Sequence, residues 1–377
     1  MARKILFVAH MDSHIANFHL PYLKWFKEQG YVVHVASNSQ EKTRPINYCD
    51  QKYEVQFARS PFSPRNIKAF RQLKKIVSNN EYALIHCHTP IGGVITRIVS
   101  RNTKIPIFYT AHGFHFHKHS SLIDWLLFYP IEKWLSRYTT ELITINEEDY
   151  QLAKSKFKRS CSVNYIPGVG VNQNEHYPLT TIENQKNKAK LGFAFDDFVM
   201  VCVGELTKNK NQAFLVRAMA TVIKTKPKAK LLLLGYGVCT VKLRKLIKKL
   251  NLENHVLLLG FRNDVLEIMN FADLVVSSSR REGLPKCLLE ALAIGKPMLG
   301  SDCRGNVDII VDGENGYLYQ IDNQKDFLQK LAQLMNNPEA LKRMGEKSMA
   351  MCGRFELDIV LEQMATLYKK HLEEGKR

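Results

Sequence analysis

The chain has 377 residues, of which 45% are hydrophobic and 24% charged, a globular composition that excludes a disordered or low-complexity chain. This length suits two domains of about 150–200 residues each. The formal charge is +18, and residues 1–170 carry 23 Lys/Arg against 12 Asp/Glu, so the first half in particular should attract phosphorylated molecules, anionic lipids or nucleic acid.

The first predicted element is a buried strand over Ile5–Ala9, an apolar run that ends at His10 and is too short for a signal peptide. Four similar runs follow in the first half: Val32–Ala36, Ala83–Cys87, Ile107–Thr110 and Leu142–Ile145. They alternate with amphipathic segments, which predicts a doubly wound α/β domain over residues 1–168. No apolar stretch reaches 18 residues, so we expect no membrane span.

A basic amphipathic helix is predicted over residues 63–75, SPRNIKAFRQLKK, with Ser63 as its N-cap. Its basic residues are Arg65, Lys68, Arg71, Lys74 and Lys75. Its apolar residues are Ile67, Phe70 and Leu73. Two interpretations stay open: the helix lies on an anionic leaflet, or its apolar stripe packs on the sheet. A second candidate for membrane contact is the aromatic segment 115–134.

No standard metal motif is present in the sequence. The histidines of residues 112–119 (His112, His115, His117 and His119) are irregularly spaced for a zinc site. The eight cysteines occur singly, which is typical of reduced core thiols in a cytosolic protein. The chain also lacks a D-x-D motif that would indicate a metal bridging a diphosphate. We therefore expect no metal and no cofactor.

The strand pattern stops over residues 169–194, a polar segment predicted to be an interdomain linker. It restarts with five runs: Val199–Val203, Leu231–Leu234, Val256–Leu259, Leu274–Ser277 and Pro297–Gly300. These predict a second α/β domain over residues 195–353. Residues 354–377 form a helical pattern expected to pack back on the first domain. In such sheets ligands bind at the carboxyl ends of the strands, here expected to face a cleft between the domains.

The loops after the second-half strands are suited to binding an anion. The loop GELTKNKNQ places Gly204, Lys208 and Lys210 just before a predicted helix, where backbone amides and lysines together attract phosphate. Ordinary surface lysines remain an alternative interpretation. In GFRND, the side chains of Phe261 and Arg262 suit contact with a base or a phosphate.

The segment SRREGLPKCLLEALAIGKP (279–297) places two glutamates around the start of a predicted helix. Glu282 precedes the helix, where the amides of Gly283 and Leu284 are placed to bind an anionic or hydroxylated group. Glu290 lies just over one turn inside it. Spacing alone also fits an acid that favours the helix dipole together with one solvated helix acid.

These motifs resemble the family 4 glycosyltransferases of the retaining GT-B type, whose signature is E-x7-E with Gly-Leu-Pro after the first acid. The resemblance continues through VGELTKNKNQ, LLLLGYGV, RGNVDIIVDGENGYLY, FYTAHGFHFHKH and YIPGVGVN. It implies a GT-B fold, two Rossmann-like domains facing a cleft. The subgroup it indicates is the EpsD/CapM-like bacterial group, which builds capsular and exopolysaccharide repeat units.

The resemblance implies roles for the residues around the predicted helix. Glu290 would bind the ribose hydroxyls of a nucleotide-sugar. Glu282, with the amides of Gly283 and Leu284, would hold the donor sugar and the phosphates. As in these relatives, we expect transfer with retention of configuration by front-side attack, without a covalent intermediate on Glu282.

Further donor contacts are implied in the preceding loops. Lys210 would neutralise the diphosphate, with help from Lys208, because Glu205 stands where relatives commonly have an arginine after Gly204. The segment that lines the base corresponds to Gly260, Phe261 and Arg262.

In the first half, His112 of the AHG motif would contact the donor hexose near its reactive carbon. The glycine pair that relatives carry after the first strand is absent. The acceptor-side candidates in its place are His10, Asp12, His14 and Asn17. The catalytic residues that the resemblance implies are therefore His112, Lys210 and Glu282.

The function that the resemblance implies is transfer of a hexose or N-acetylhexosamine, in particular from a UDP-sugar, to a lipid-linked saccharide in surface polysaccharide synthesis. With the charge excess, this predicts a cytoplasmic protein at the inner face of the cell membrane. Alternatives are a nucleotide-sugar epimerase of the same fold and a transferase with a soluble acceptor. Binding of nucleic acid would explain the charge but not the phosphate loops, and we expect none.

Overall fold

A computed structural model describes residues 2–39, 45–118 and 120–374. It divides into two compact units. The N-terminal unit comprises Met1–Val169 together with Val360–Arg377, and the C-terminal unit comprises Gly170–Ile359. Each is a Rossmann-like domain built on one parallel sheet, as the sequence predicts.

The sheet of the N-terminal unit has seven parallel strands in the order β3-β2-β1-β4-β5-β6-β7. The strands are β1 (Lys4–Val8), β2 (Val32–Ser37), β3 (Gln51–Glu54), β4 (Tyr82–His88), β5 (Ile107–Ala111), β6 (Glu141–Thr144) and β7 (Ser162–Tyr165). The helices are α1 (Asp12–Phe18), α2 (Leu20–Glu28), α3 (Arg65–Ser78), α4 (Pro90–Val99), α5 (Leu122–Leu135) and α6 (Glu147–Phe157). The five predicted strands are present, and the two edge strands β3 and β7 were not predicted.

The sheet of the C-terminal unit has six parallel strands in the order β10-β9-β8-β11-β12-β13. The strands are β8 (Phe198–Val203), β9 (Ala229–Leu234), β10 (Val256–Gly260), β11 (Leu274–Ser277), β12 (Met298–Ser301) and β13 (Gly316–Tyr319). The helices are α7 (Thr181–Lys190), α8 (Gln212–Val222), α9 (Thr240–Lys249), α10 (Val265–Phe271), α11 (Lys286–Ala293), α12 (Gln324–Met335) and α13 (Pro338–Met351). The edge strand β13 was not predicted.

Residues 169–194, predicted as a linker, are instead mostly part of the C-terminal unit and contain α7. The helix starts with a capping box in which Thr180 and Glu183 satisfy each other's backbone amides. The amide of Leu179 donates to the side chain of Asn270 at 2.8 Å, which attaches the segment to α10. Its polar composition therefore reflects an exposed helix.

The last helix, α14 (Leu357–Glu374), starts in the C-terminal unit and continues into the N-terminal one. Its residues Val360, Met364, Tyr368 and Leu372 repeat every four positions and are buried in the N-terminal core. The Tyr368 hydroxyl lies 2.6 Å from Nδ1 of His86 on β4. The C-terminal segment thus completes one face of the first sheet.

In both sheets the strand order reverses beside the first strand of the unit, between β1 and β4 and between β8 and β11. Open α/β sheets bind ligands outside the carboxyl ends of the strands at such a point. The site residues predicted from the sequence lie largely in the loops at these two positions. All eight cysteines are free thiols, in agreement with the sequence analysis.

Candidate functional site

In the C-terminal unit, the loops that follow β8 and β11 are hydrogen-bonded to each other. Ser278 Oγ donates to the carbonyl of Lys210 at 2.9 Å, and the amide of Arg280 donates to the carbonyl of Asn209 at 2.8 Å. Because β8 and β11 are neighbouring parallel strands, their carboxyl ends bring these loops together. The two halves of the predicted anion site are therefore adjacent.

Lys210 and Glu282 form an ion pair across these loops, with Nζ 2.5 Å from Oε1. The Lys210 side chain is 25% exposed and that of Glu282 is 11% exposed. Burial lowers the pKa of Lys210, but the Glu282 charge outweighs burial and holds the pKa above its usual value. Lys210 is therefore a cation that still reaches solvent, where an anion can approach it.

Glycines keep the backbone open around Lys210. Gly204 has a φ of +152°, and a Cβ added there would lie 3.6 Å from Nζ of Lys210. A Cβ on Gly235 would lie 2.1 Å from the carbonyl oxygen of Gly204, so only glycine lets the loop after β9 pack this closely. Lys208 and Glu205 are exposed in the same loop. The lysine of this loop that forms an ion pair with Glu282 is Lys210.

The turn before α11 is supported by a loop that the sequence analysis did not assign to the site. Arg304 is buried, and its Nε donates to the carbonyl of Glu282 at 3.0 Å. A Cβ on Gly305 would lie 2.7 Å from the carbonyl oxygen of Gly283. Leu284, the next residue of the turn, packs partly against the core. The Arg-Gly pair in the motif RGNVD is the sequence signal for this support.

Glu290 lies on α11 with two basic side chains around it. Its Oε1 is 3.5 Å from Nε2 of His176 and 3.6 Å from Nζ of Lys286. The hydrogen bond to Glu290 raises the pKa of His176, against the opposing effect of burial. His176 belongs to the segment predicted as a linker, so the sequence analysis did not connect it to Glu290.

This pair predicts a pH dependence of stability in the C-terminal unit. Because the folded-state pKa of His176 is raised above its usual 6.5, its contribution is complete below pH 6.5 and is lost as the pH rises through the folded value. We expect His176→Gln to reduce the slope of the unfolding free energy against pH between pH 6.5 and the folded-state pKa of His176. Urea unfolding across a pH series, followed by circular dichroism, measures it. Equal slopes in both proteins would contradict the assignment.

The segment predicted to line a base presents exposed rings. Phe261 and Tyr236 are both exposed. A Cβ on Gly260 would lie 2.7 Å from the Tyr236 hydroxyl, so the absence of a side chain lets Tyr236 pack there. The guanidinium of Arg262 is held by Asp264, with Nε 2.7 Å from Oδ1. This pair engages Nε and Nη2, so Arg262 can contact a ligand through Nη1 while the pair stays closed, and Tyr236 is an additional stacking candidate.

In the N-terminal unit, His112 follows β5 and lies within a group of buried or half-buried histidines. Its Nε2 is 3.2 Å from Nε2 of His14 and 3.5 Å from Nδ1 of His88. His19 stacks on His88 with ring centroids 3.7 Å apart. Burial lowers the pKa of His112 to about 4, so its imidazole is neutral at physiological pH.

The four acceptor-side candidates lie directly after β1 and along α1 and differ in exposure. Asp12 is buried and already bound, with its carboxylate 2.6 Å from both Lys52 Nζ and Ser37 Oγ. Its role as an acceptor contact stays a prediction, and an acceptor would have to share the carboxylate with Lys52 and Ser37. Asn17 is exposed on α1, while His10 lines the pocket described next.

A pocket of about 570 Å³ lies beside His112 in the N-terminal unit. Most of its wall is apolar, including Phe62, Ile91, Phe128 and Ile131. Its polar side chains include His10, Arg59, His112 and Glu132. An apolar cavity with a few polar groups at one place is the usual form of a small-molecule site. Arg59 and Phe62 were not predicted, since neither belongs to a recognisable motif.

Of the histidines in residues 112–119, only His112 belongs to the cluster of histidines in the described residues. His112 instead meets histidines from α1, from the junction of α1 and α2, and from β4. His115 packs its ring on Phe128, and the backbone of His117 accepts a hydrogen bond from Trp125 Nε1. His119 lies outside the described residues.

Comparison with known families covers both units. Residues 183–351 match the family described as "Glycosyl transferases group 1", and residues 4–146 match "Glycosyl transferase 4-like". The chain is 42% identical over 376 residues to the glycosyltransferase EpsD of Bacillus subtilis, with 99% of this chain and 98% of that protein covered. It is 27% identical over 302 residues, 77% of each chain, to the UDP-Gal:alpha-D-GlcNAc-diphosphoundecaprenol alpha-1,3-galactosyltransferase of Escherichia coli.

Solved structures show the same fold. Anabaena Alr3699/HepE in complex with UDP and glucose matches with a TM-score of 0.78 at 20% identity, covering 98% of this chain and 100% of that one. Sucrose-phosphate synthase from Thermosynechococcus elongatus matches with a TM-score of 0.82 at 17% identity, covering 98% of each chain.

Proposed function

The chain belongs to the group 1 glycosyltransferases, and we propose that it moves a hexose or N-acetylhexosamine from a UDP-sugar to a lipid-linked saccharide in surface polysaccharide synthesis. The observation that carries the proposal is the Lys210–Glu282 pair at the strand-order reversal of the C-terminal unit. The UDP and glucose bound by the Anabaena neighbour support this donor class. The lipid diphosphate in the name of the Escherichia coli relative supports this acceptor class.

The proposed donor chemistry follows from the charges at this site. Breaking the bond between the sugar and the nucleoside diphosphate develops negative charge on the leaving phosphate. Lys210 and the amides of the Gly283–Leu284 turn stabilise that charge in place, and preorganised groups of this kind are the main source of catalytic power in many enzymes. Glu282 keeps Lys210 oriented and binds donor sugar hydroxyls.

The remaining donor contacts are proposed on the same basis. Glu290 binds the ribose hydroxyls, and the exposed rings of Phe261 and Tyr236 stack on the base. Neutral His112 contacts the donor hexose near its reactive carbon. We propose that transfer retains configuration by front-side attack and needs no metal on the diphosphate, since Lys210 supplies the positive charge.

The acceptor is proposed to occupy the pocket beside His112. Its apolar wall suits the first part of a polyprenyl chain, and Arg59 at the same pocket suits the diphosphate. A basic and apolar surface beside the reacting sugar is what a lipid diphosphate requires. The charge excess of residues 1–170 favours the same anionic partner.

Membrane contact is proposed for α5, because its apolar face is exposed. Leu122 is 81% exposed, Ile123 73% and Leu126 78%. In α3, by contrast, Leu73 is buried in the core and Phe70 packs against it, while Ile67 is 59% exposed, so the C-terminal part of the stripe packs on the sheet as in the second of the two interpretations. No helix in the described part of the chain is long and apolar enough to cross a membrane. We propose that α5 rests in the inner face of the cell membrane.

Replacing the exposed face of α5 is expected to abolish vesicle binding. A fully buried Leu or Ile side chain contributes about 1.5–3 kcal/mol, so Leu122→Ser/Ile123→Ser/Leu126→Ser should weaken partitioning by at least about 100-fold. Flotation with phosphatidylglycerol vesicles at low salt measures it. Ile182→Ser/Phe195→Ser, which removes two exposed side chains of the C-terminal unit, is the control and should float like wild type. Undiminished flotation of the triple variant would exclude α5 as the contact.

The proposed function is tested by incubating the full chain with a panel of UDP-sugars and an undecaprenyl-diphosphate saccharide. We expect UDP release that requires the lipid acceptor, with the product linkage of the same configuration as the donor. Equal release with a free saccharide would indicate a soluble acceptor. Interconversion of the nucleotide-sugar without any acceptor would indicate an epimerase, and either result would overturn the proposal.

A further inference from the structure

Four histidines of the N-terminal unit bring their ring nitrogens together: His14, His19, His88 and His112. One nitrogen from each lies within 4.8 Å of the other three. His14 and His19 come from α1 and its junction with α2, His88 from the end of β4 and His112 from the loop after β5. Tertiary structure therefore brings this cluster together, and no local sequence motif predicts it.

Two distances between ring nitrogens of the cluster fit a tetrahedral ion. Zinc–imidazole bonds of about 2.0–2.1 Å at tetrahedral angles separate two ligand nitrogens by about 3.3–3.4 Å. The nitrogens of His14 and His112 are 3.2 Å apart, and those of His112 and His88 are 3.5 Å apart. Both edges are thus already close to those of a zinc site, while the ring of His19, which stacks on His88 with centroids 3.7 Å apart, has to turn to present a nitrogen to the same ion.

The cluster also contains polar atoms that nothing else satisfies. His19 is 1% exposed, and neither of its ring nitrogens has a hydrogen-bond partner among the described residues. Buried polar atoms are nearly always hydrogen-bonded or bound to a ligand in folded proteins. Unpartnered ring nitrogens within one cluster therefore indicate a bound ligand.

We propose that His14, His19, His88 and His112 bind one divalent transition-metal ion of the type that prefers imidazole, with Zn²⁺ as the expected occupant. The cluster contains no carboxylate, which disfavours Mg²⁺ and Ca²⁺ because these ions take oxygen ligands. Imidazole ligands suit zinc, copper and nickel.

Packing holds the rings of the cluster in place, since Phe7 stacks on His88 with ring planes 14° apart. The site belongs wholly to the N-terminal unit and shares His112 with the proposed donor contacts.

Cobalt binding tests the site directly, because tetrahedral Co²⁺ absorbs strongly in the visible range and substitutes for Zn²⁺. Full-length protein dialysed against a chelator is titrated with Co²⁺ and then with Zn²⁺. We expect one equivalent of tetrahedral Co²⁺, displaced by one equivalent of Zn²⁺. Outer-shell partners alone change metal affinity by about 10–100-fold, so His14→Gln and His19→Gln should each weaken binding by more than about 100-fold.

The matched control is His34→Gln, a buried histidine of the same sheet that is bonded to Tyr82 and lies outside the cluster. It should bind Co²⁺ like wild type. His14 is only half-buried, so its variant keeps the test available if the His19 variant fails to fold. Tryptophan fluorescence of each variant checks the fold. A wild-type protein that shows no tetrahedral Co²⁺ spectrum, or one shared equally by His14→Gln, would overturn the proposal.

Discussion

Lys210→Ala is expected to lower kcat for sugar transfer by about 10²–10³-fold, the usual effect of removing one preorganised group that stabilises developing charge. The ion pair with Glu282 holds Nζ in one place, so the ammonium needs little reorganisation as the phosphate leaves. Its effect should be larger on kcat than on KM, because the charge on the leaving phosphate is greatest in the transition state. Steady-state UDP release with a saturating donor measures the change.

Two further variants make this result specific. Glu282→Gln keeps the shape of the side chain but removes the charge that orients Lys210, and it should also lower kcat. Lys224→Ala removes an exposed lysine just after α8, and it should leave both constants unchanged. If Lys210→Ala and Lys224→Ala had the same kcat, the leaving phosphate would have to be stabilised by other groups.

Glu132→Leu is expected to destabilise the N-terminal unit by about 3–5 kcal/mol, because it leaves a buried cation without its partner. Arg97 is 1% exposed, and its guanidinium contacts Glu132 at 2.8 and 3.1 Å, tying α4 to α5. The guanidinium also lies 3.9 Å from the centre of the Tyr109 ring. Without Glu132, these neighbours cannot balance the charge.

The double variant Arg97→Met/Glu132→Leu is the informative control. Replacing both charges by apolar groups of similar size is often neutral or stabilising, so we expect it to recover most of the loss. The three tryptophans, Trp25, Trp125 and Trp134, all belong to the N-terminal unit, so their fluorescence in urea follows that unit. A single variant as stable as wild type would show that Arg97 is compensated elsewhere.

The strands that the sequence predicts are those with continuous apolar runs, most of which are buried on both faces. Runs such as Ile5–Ala9 have no polar side, and the parallel sheet covers them with helices. The edge strands β3 (QKYE) and β7 (SVNY) escaped prediction because their side chains are mostly not buried, so their sequences resemble loops. For the same reason, the sequence of the polar helix α7 resembles a linker.

The site shows a similar division. Lys210 and Glu282 could be predicted because parallel neighbours place the loops after their carboxyl ends together. The pairing of His176 with Glu290 could not, since it joins residues 114 positions apart (290 − 176) through tertiary packing alone. The histidine cluster likewise joins three separate segments, and only His14 and His19 are close in the sequence. Spacing within a segment carries no information about such contacts.

The N-terminal unit is built from two separate segments of the chain, and this has a consequence for folding during synthesis. Domains generally fold in the order in which the ribosome makes them. Here the first sheet lacks Val360, Met364 and Tyr368 until the C-terminal unit has been made, so Phe26 and Phe108 have no complete covering layer on the nascent chain. The C-terminal unit is continuous and can fold earlier. The unit that is translated first is therefore the one that is finished last, and a fragment cut after residue 169 would retain an apolar face open to aggregation.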